Sequence, residues 1–245
     1  SWNVYLAPHR YCNMEKTVSE AIAYRRAVRV FQDSPIDPEK VKSCIANGVL
    51  APTSSNLQLW EFVHVTSPDL LGRITEACFG QNAAKTARQI VVVVARRDAW
   101  RQRARANITF LKEQFKGVTG EKWERRERFA MKYYRQLVPT LYMEFFGLLG
   151  WIRYLFFSVL GIFRPVYRQV RLSDMRVVAH KSAALAAGNF MVSMAGIGYD
   201  TCPMEGFDSR RIKKVLHLPA AAEITMVIGC GIRDGEKGVY GPRFR

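Results

Sequence analysis

The stretch Cys202-Pro203-Met204-Glu205-Gly206-Phe207-Asp208 decides the fold, and it follows a long helix-like segment that ends near Gly198. That preceding segment, His180–Ala195, is rich in Ala, Met and Leu, which favours a central buried helix. Asp208 carries the side chain of a helix N-cap, because its carboxylate can accept from the first backbone N–H groups. Taken alone, the stretch predicts a turn that leads from a strand into a capped helix.

Local patterns outside this stretch predict helices interleaved with a few strands. Helices are expected at Val18–Tyr24 and from Pro38 to Leu50, where Asp37 can cap and proline suits the first helical position. Strands are expected at Trp60–Val65, Gln89–Val94 and Ala222–Cys230. Residues 90–94 are all Ile or Val without alternation, so this strand should be buried on both faces. The pattern predicts an α+β or mixed α/β domain with too few strands for a doubly wound parallel sheet.

The charge of the chain favours anionic partners. Its 245 residues include 37 Lys and Arg against 21 Asp and Glu, which gives a net charge of +16. Nucleotide cofactors, anionic lipid surfaces and nucleic acid are the partners that such a charge attracts. Two basic blocks precede the apolar middle of the chain: Arg96, Arg97, Arg101, Arg103 and Arg105, then Lys122, Arg125, Arg126, Arg128, Lys132 and Arg135.

Cysteine and histidine usage points to a reducing compartment and away from metal. The five cysteines are Cys12, Cys44, Cys78, Cys202 and Cys230, an odd and widely spaced set with no Cys-x-x-Cys pair. A disulfide framework or zinc site is therefore disfavoured, and the four histidines form no cluster, so no metal is expected. Ser1–Lys16 also lacks the layout of a signal peptide, so a cytoplasmic protein is expected.

Two further segments are informative only when they are considered together with the Cys202–Asp208 stretch. Taken alone, Arg25, Arg26 and Arg29 are typical of a helix end with solvated cations, and Pro52–Asn56 is typical of an ordinary turn. In this order, however, the Arg25-Arg26-Ala27-Val28-Arg29 segment, the Pro52-Thr53-Ser54-Ser55-Asn56 loop and the Pro203–Asp208 turn resemble the FMN-dependent nitroreductase family. The resemblance covers roughly residues 17–95 and 177–245.

The resemblance implies an architecture. It predicts an α+β fold with a central, mostly antiparallel sheet flanked by helices, in an intertwined homodimer with two flavin sites. The chain is then a single domain over residues 1–245, with a helical apolar insertion at about 100–175.

The resemblance also implies roles around FMN. Arg29 should lie beside N1 and the C2 carbonyl, and the backbone N–H groups of Glu205 and Gly206 should donate to N5; these three are the expected catalytic residues. Phosphate should be bound by Arg25, Arg26, Arg243 and Arg245. The remaining expected cofactor contacts are Pro52, Thr53 and Ser54 from the other subunit, Asn82 and Lys85 at the pyrimidine edge, Ser182 near the ring, and Pro203 and Met204 along its face.

The middle segment Leu141–Phe163 is long enough to span a bilayer, but Glu144 and Arg153 oppose that reading. Its aromatics and the arginines that follow fit an element lying on an anionic membrane surface, through residues 141–171. The alternatives are a lid over the active site and packing against the partner subunit. Pro165 should end the helix.

The leading function is an FMN-dependent NAD(P)H oxidoreductase that reduces nitroaromatics, quinones or flavins by ping-pong hydride transfer, with NADH or NADPH as co-substrate. One alternative keeps the flavin but dehalogenates, oxidises heterocycles or fragments flavin. The other is a non-enzymatic basic module for lipid or nucleic acid, although no nucleic-acid-binding motif is present and nucleic acid is not expected as a partner. A peripheral location at the inner face of the membrane follows only if the middle segment meets lipid.

Overall fold

The computed structural model describes residues 16–243, and these divide into two compact units. The first unit comprises residues 16–52, 61–95 and 183–243, and the second comprises 53–60 and 96–182. Cys12 and Arg245 lie outside the described residues. The single domain with an insertion at about 100–175 stays a prediction.

The helices and strands follow one another in a mixed order. The strands are β1 (Trp60–Val65), β2 (Gln89–Ala95), β3 (Asp200–Met204) and β4 (Glu223–Gly231). The α-helices are α1 (Val18–Tyr24), α2 (Pro38–Gly48), α3 (Pro68–Ala77), α4 (Asn82–Lys85), α5 (Trp100–Phe115), α6 (Glu121–Lys132), α7 (Val138–Tyr142), α8 (Leu148–Phe163), α9 (Leu172–Gly196) and α10 (Ser209–Val215).

The first unit is built on a four-stranded sheet of order β1-β2-β4-β3. Strand β4 is antiparallel to both β2 and β3, so that Val227 pairs with Val92 on one side and Met204 on the other. Every residue of β2 is buried, as the run of Ile and Val predicted. The α+β class is confirmed, and a doubly wound parallel sheet is excluded by these antiparallel pairings.

Helix starts in the first unit follow their capping residues. Thr17 and Glu20 form a reciprocal capping box at α1, and Asp37 accepts from the backbone N–H of Glu39 at 2.9 Å with Pro38 in the first turn of α2. Asp208 accepts from the N–H groups of two following residues at the start of α10. These predicted starts are confirmed because a cap satisfies donors that the helix itself leaves open.

Boundaries of three predicted elements were wrong by different amounts. Helix α9 begins at Leu172 and not at His180, and Asp174 in its first turn accepts from the backbone N–H of Arg171 at 3.0 Å. Strand β4 runs one residue later than predicted, over Glu223–Gly231, and α2 ends at Gly48, before Leu50.

The second unit is helical within its described residues. Helices α5 and α6 are followed by a π-helical turn, Tyr133–Leu137, and then by α7. The apolar segment is interrupted after Tyr142, since Gly147 has a φ of +83° and α8 starts only at Leu148. Helix α8 ends at Phe163, two residues before Pro165, as predicted. Among the described residues, none of the helices has both the length and the apolar character that crossing a bilayer requires.

Candidate functional site

The arginine segment, residues 25–29, lies along the outer edge of β3 in the first unit. Ala27 forms a parallel bridge with Thr201, and the backbone N–H of Val28 donates to the Thr201 carbonyl at 3.1 Å. Because the pairing is parallel, the arginine segment runs in the same direction as β3 towards Glu205 and Gly206. Backbone pairing thus joins two of the predicted segments that are about 170 residues apart in sequence.

The C-terminal tail returns to the same arginines. The N–H of Arg29 donates to the Gly238 carbonyl at 2.7 Å. The Arg26 guanidinium donates to the Gly241 carbonyl at 2.9 Å, and that of Arg243 donates to the backbone carbonyl of Arg25. The tail therefore brings the Arg243 side chain to the arginine segment.

Helix α4 fixes Asn82 and Lys85 beside this segment. The Thr86 hydroxyl accepts from the N–H of Phe31 at 3.0 Å and donates to the Asn82 carbonyl at 2.7 Å. Beneath α4, Gly229 of β4 allows close approach, because a Cβ placed there would lie 2.5 Å from the Ala83 carbonyl oxygen. The side chains of Asn82 and Lys85 remain exposed, and the Asn82 amide donates to the Tyr240 hydroxyl at 3.4 Å.

The turn after β3 is held by a glutamine. The Gln81 side-chain amide donates to the Gly206 carbonyl at 2.6 Å and to the Cys78 carbonyl at 3.0 Å. Glu205 and Gly206 are exposed, and within residues 16–243 neither backbone N–H donates to a protein acceptor. Of the two preceding residues, Pro203 is half-buried, whereas the Met204 side chain packs into the core. The exposed Glu205–Gly206 peptide is therefore available to donate to a ligand.

A charged network holds the residue that precedes the arginine segment. Asp200, which is 1% exposed, accepts from the Arg233 guanidinium at 2.5 Å. Arg233 also donates to the Tyr24 carbonyl at 3.1 Å and lies 4.1 Å from the centroid of the Tyr24 ring. Burial is the main reason that the pKa of Tyr24 is raised, and the carboxylate of Asp200 raises it further. The network fixes the chain direction just before Arg25.

The site carries positive charge without matching carboxylates. In the described part of the chain, no Asp or Glu forms an ion pair with Arg25, Arg26, Arg29 or Arg243, and the first three are half-buried. Burial raises the pKa of the Cys202 thiol, while the charge of nearby Arg29 acts in the opposite direction. Cys202 is fully buried, so it serves as packing next to the site.

The other expected contacts belong elsewhere. Pro52 is exposed at the end of the first segment of the first unit, whereas Thr53, Ser54 and the buried Ser182 belong to the second unit. The loop after Ser54 has positive φ at Ser55, Asn56 and Gln58. In the second unit, the Ser55 hydroxyl lies 2.6 Å from that of Tyr133, and Tyr134 donates to the Ser55 carbonyl at 2.9 Å.

Sequence reasoning missed the residues that hold the site in place: Gln81, Thr86, Asp200, Arg233 and Tyr240. Two signals were available. Gln81 immediately precedes an expected ligand, and Asp200 is an acid in a predominantly apolar stretch near the Cys202–Asp208 turn. Gln81 acts on backbone carbonyls, which carry no sequence identity that a motif could record, and the partner of Asp200, Arg233, lies 33 positions away in sequence.

The nitroreductase family model matches residues 22–232. The chain belongs to the nitroreductase family. Protein DrgA of Synechocystis is 26% identical to this nitroreductase over 215 residues, covering 87% of this chain and 83% of DrgA.

Solved structures show the same fold. YdfN of Bacillus subtilis has a TM-score of 0.67 at 23% identity, covering 93% of this chain and 92% of its own. A structure from Exiguobacterium sibiricum, solved in complex with FMN, has a TM-score of 0.62 at 18% identity and covers 95% of each chain. At these identities the likeness establishes the nitroreductase fold of this chain.

Proposed function

We propose that this nitroreductase is an FMN-dependent NAD(P)H oxidoreductase that reduces nitroaromatics, quinones or flavins two electrons at a time. The observation that carries the proposal is the first unit's cluster, in which the arginine segment, α4, the Glu205–Gly206 turn and the tail are joined by hydrogen bonds. When bound, FMN would supply the redox chemistry of a ping-pong cycle, with NADH or NADPH as hydride donor and a small molecule as acceptor.

The arginines suit a phosphate dianion. Arg25, Arg26 and Arg243 lie together through backbone contacts and have no described carboxylate partner, so an external anion is their natural counter-charge. Guanidinium groups bind phosphate oxygens through paired, charge-assisted hydrogen bonds. Arg245 is expected to add to this set.

The opposite end of the cofactor needs a cation and donors. Arg29 is positioned by its backbone bond to Gly238 and would stabilise negative charge near N1. Asn82 and Lys85 would bind the pyrimidine edge, and the free N–H groups of Glu205 and Gly206 would donate near N5. Pro203 would line the ring face with its side chain, and Met204 would contribute through its backbone because its side chain is buried.

A homodimer is part of the proposal. The first unit leaves Ile22, Leu50 and Leu185 more than half exposed, and such apolar surface supports a partner subunit. The partner would supply its own Pro52, Thr53 and Ser54 to the flavin, with Ser182 also near the ring. The expected association with a membrane depends on the second unit and not on this cluster.

The test is a charge-removing substitution at Arg29 with a matched control. Arg29→Gln should weaken FMN binding about tenfold or more, since a charge-assisted hydrogen bond contributes roughly 1.5–3 kcal/mol. Anaerobic bleaching of the bound flavin by NADH or NADPH should also slow. Arg210→Gln removes an exposed arginine of α10 and should change neither. FMN affinity is read from quenching of flavin fluorescence.

Two results would overturn the proposal. One is a purified protein that is colourless and gains no flavin absorbance when FMN is added. The other is an Arg29→Gln variant with the FMN affinity and bleaching rate of the unaltered protein.

A further inference from the structure

Helix α8 of the second unit presents a continuous apolar stripe to solvent. Its large apolar side chains are 54–80% exposed and recur at helical spacing: Leu148, Trp151, Ile152, Leu155, Phe156, Val159, Ile162 and Phe163. The helix has 16 residues, so the stripe is about 24 Å long at 1.5 Å per residue. Phe146, just before the helix, is 97% exposed. Soluble surfaces rarely expose a stripe of this size unless it contacts something.

The charges of this region are kept off the stripe. Arg153 is ion-paired with Glu144, and both side chains are almost nine-tenths buried. The Arg153 guanidinium also donates to the Met143 carbonyl at 2.8 Å and to the Val170 carbonyl at 3.1 Å. The two charges that oppose a spanning helix in the sequence are therefore paired with each other and largely buried, away from the exposed stripe.

The exposed charges next to the stripe are positive. Arg164 follows the last residue of α8, and the Arg168 guanidinium donates to the Gly161 carbonyl at 2.9 Å. Arg171 stacks over the rings of Trp151 and Tyr154, at 5.8 and 5.0 Å from their centroids. Residues 145–173 contain no Asp or Glu at all. Arg171 is ion-paired with Asp174 at 3.2 Å, whereas Arg164 and Arg168 border the stripe without a described carboxylate partner.

Most of the charge excess lies in the same unit. Residues 96–182 contain 19 of the 37 Lys and Arg but only 7 of the 21 Asp and Glu, a net charge of +12 out of +16. A second copy docking on the same stripe would bring the same arginines and no carboxylate from residues 145–173, because a two-fold interface joins identical surfaces. An anionic lipid surface supplies the missing negative charge.

We infer that α8 lies in the plane of an anionic membrane surface, with its apolar stripe in the lipid and Arg164 and Arg168 at the headgroups. A helix buried to this depth inserts apolar side chains without crossing the bilayer. Trp151 and Tyr154 suit the headgroup level, where an aromatic ring has one apolar and one polar side. This docking does not depend on a bound flavin.

Flotation of the full-length protein with lipid vesicles tests the inference. The protein should float with vesicles of phosphatidylcholine containing about one third phosphatidylglycerol, and much less with phosphatidylcholine alone. Leu155→Glu combined with Ile162→Glu should reduce vesicle binding more than tenfold. Val118→Glu is the matched control, since Val118 is an exposed apolar residue of the same unit outside α8, and it should bind like the unaltered protein.

Two further measurements distinguish insertion of the apolar stripe into the lipid from electrostatic attraction to the headgroups. Tryptophan emission should shift to the blue on adding anionic vesicles, and Trp151→Phe should remove most of that shift. Arg164→Gln and Arg168→Gln should each weaken binding about fivefold, with the loss growing smaller as salt is raised. Circular dichroism confirms that each variant is folded.

The inference is overturned by any of three results. The unaltered protein fails to float; the Leu155→Glu/Ile162→Glu variant floats as well as the control; or neutral and anionic vesicles bind equally. A protein that does not float but whose oligomeric state changes with the double substitution would show that the stripe is a contact between copies instead.

Discussion

In the first unit, β2 keeps residues 90–94 fully buried, whereas in the second unit α8 leaves eight large apolar side chains more than half exposed. Both units nevertheless bury an ion pair of the same kind. Asp200–Arg233 ties Tyr24 to β3, and Glu144–Arg153 ties the chain on both sides of α8 through Met143 and Val170. The two pairs differ in what they hold: one fixes Tyr24 next to the arginine segment, and the other withdraws charge from an apolar surface.

The largest expected effect comes from breaking each pair. Asp200→Asn and Glu144→Gln each leave a guanidinium without its carboxylate, which should lower the free energy of unfolding by about 3 kcal/mol, the low end for buried pairs. Only Asp200→Asn should also weaken FMN binding, about tenfold, because Arg233 then holds Tyr24 and Arg25 less firmly. Urea unfolding followed by circular dichroism and FMN titration measure the two quantities.

The comparison fails if the two variants behave alike. An Asp200→Asn protein with unaltered FMN affinity would mean that the network stabilises the fold without positioning the arginines. A Glu144→Gln protein with FMN affinity reduced as strongly would mean that the second unit's ion pair supports the cofactor site as well.

A smaller effect is expected from the glycine beneath α4. Gly229→Ala places a Cβ 2.5 Å from the Ala83 carbonyl, so α4 or β4 must shift, at a cost of about 1–3 kcal/mol. FMN binding should weaken with it, because Asn82 and Lys85 move with α4. Gly72→Ala, in α3 with nothing within 4 Å of its Cβ, should instead stabilise by roughly 0.5–1 kcal/mol.

Thermal unfolding measures both changes, at about 2–4 °C for each kcal/mol in a chain of this size. If Gly229→Ala and Gly72→Ala lower the melting temperature equally, the close approach of β4 to α4 is not the reason that Gly229 is needed. A stable Gly229→Ala protein with normal FMN affinity would show that α4 tolerates displacement.

The elements that could be predicted from sequence are those with local causes. The Thr17, Asp37 and Asp208 caps and the apolar run of β2 act within a few residues, so their elements were placed within a residue or two. The start of α9 was missed because its first turn, in which Asp174 accepts from the backbone N–H of Arg171, lies before the Ala-rich stretch that suggested a helix.

The candidate site, in contrast, is built from contacts between residues that are far apart in sequence. The Ala27–Thr201 bridge and the Arg243–Arg25 contact join residues more than 170 positions apart, and periodicity carries no information on such pairs. The resemblance supplied the ligands, whereas the supports, Gln81 and the Asp200–Arg233 pair, emerged only from the structure. The sequence around Arg153 gives no sign that its guanidinium is buried against Glu144, so this burial could not be predicted.

The smallest expected effect is a pH dependence confined to the first unit. His64 of β1 lies with Nε2 2.6 Å from the Gln89 amide oxygen. Burial lowers the pKa of His64 below its ordinary value, and the hydrogen bond to Gln89 offsets part of that. The folded protein therefore favours neutral His64. Its contribution to stability is present above the unfolded pKa of about 6.5 and is lost as pH falls through the lower folded pKa.

The unaltered protein should consequently lose more stability between about pH 7.5 and pH 5 than a His64→Gln variant, whose amide can still donate to Gln89. His217→Asn serves as the control. His217 is exposed with a φ of +51°, a conformation that asparagine tolerates, so this variant should keep the pH dependence of the unaltered protein. If His64→Gln and the unaltered protein lose stability in parallel on acidification, the pH dependence belongs to other groups, and β1 is not where the first unit senses protons.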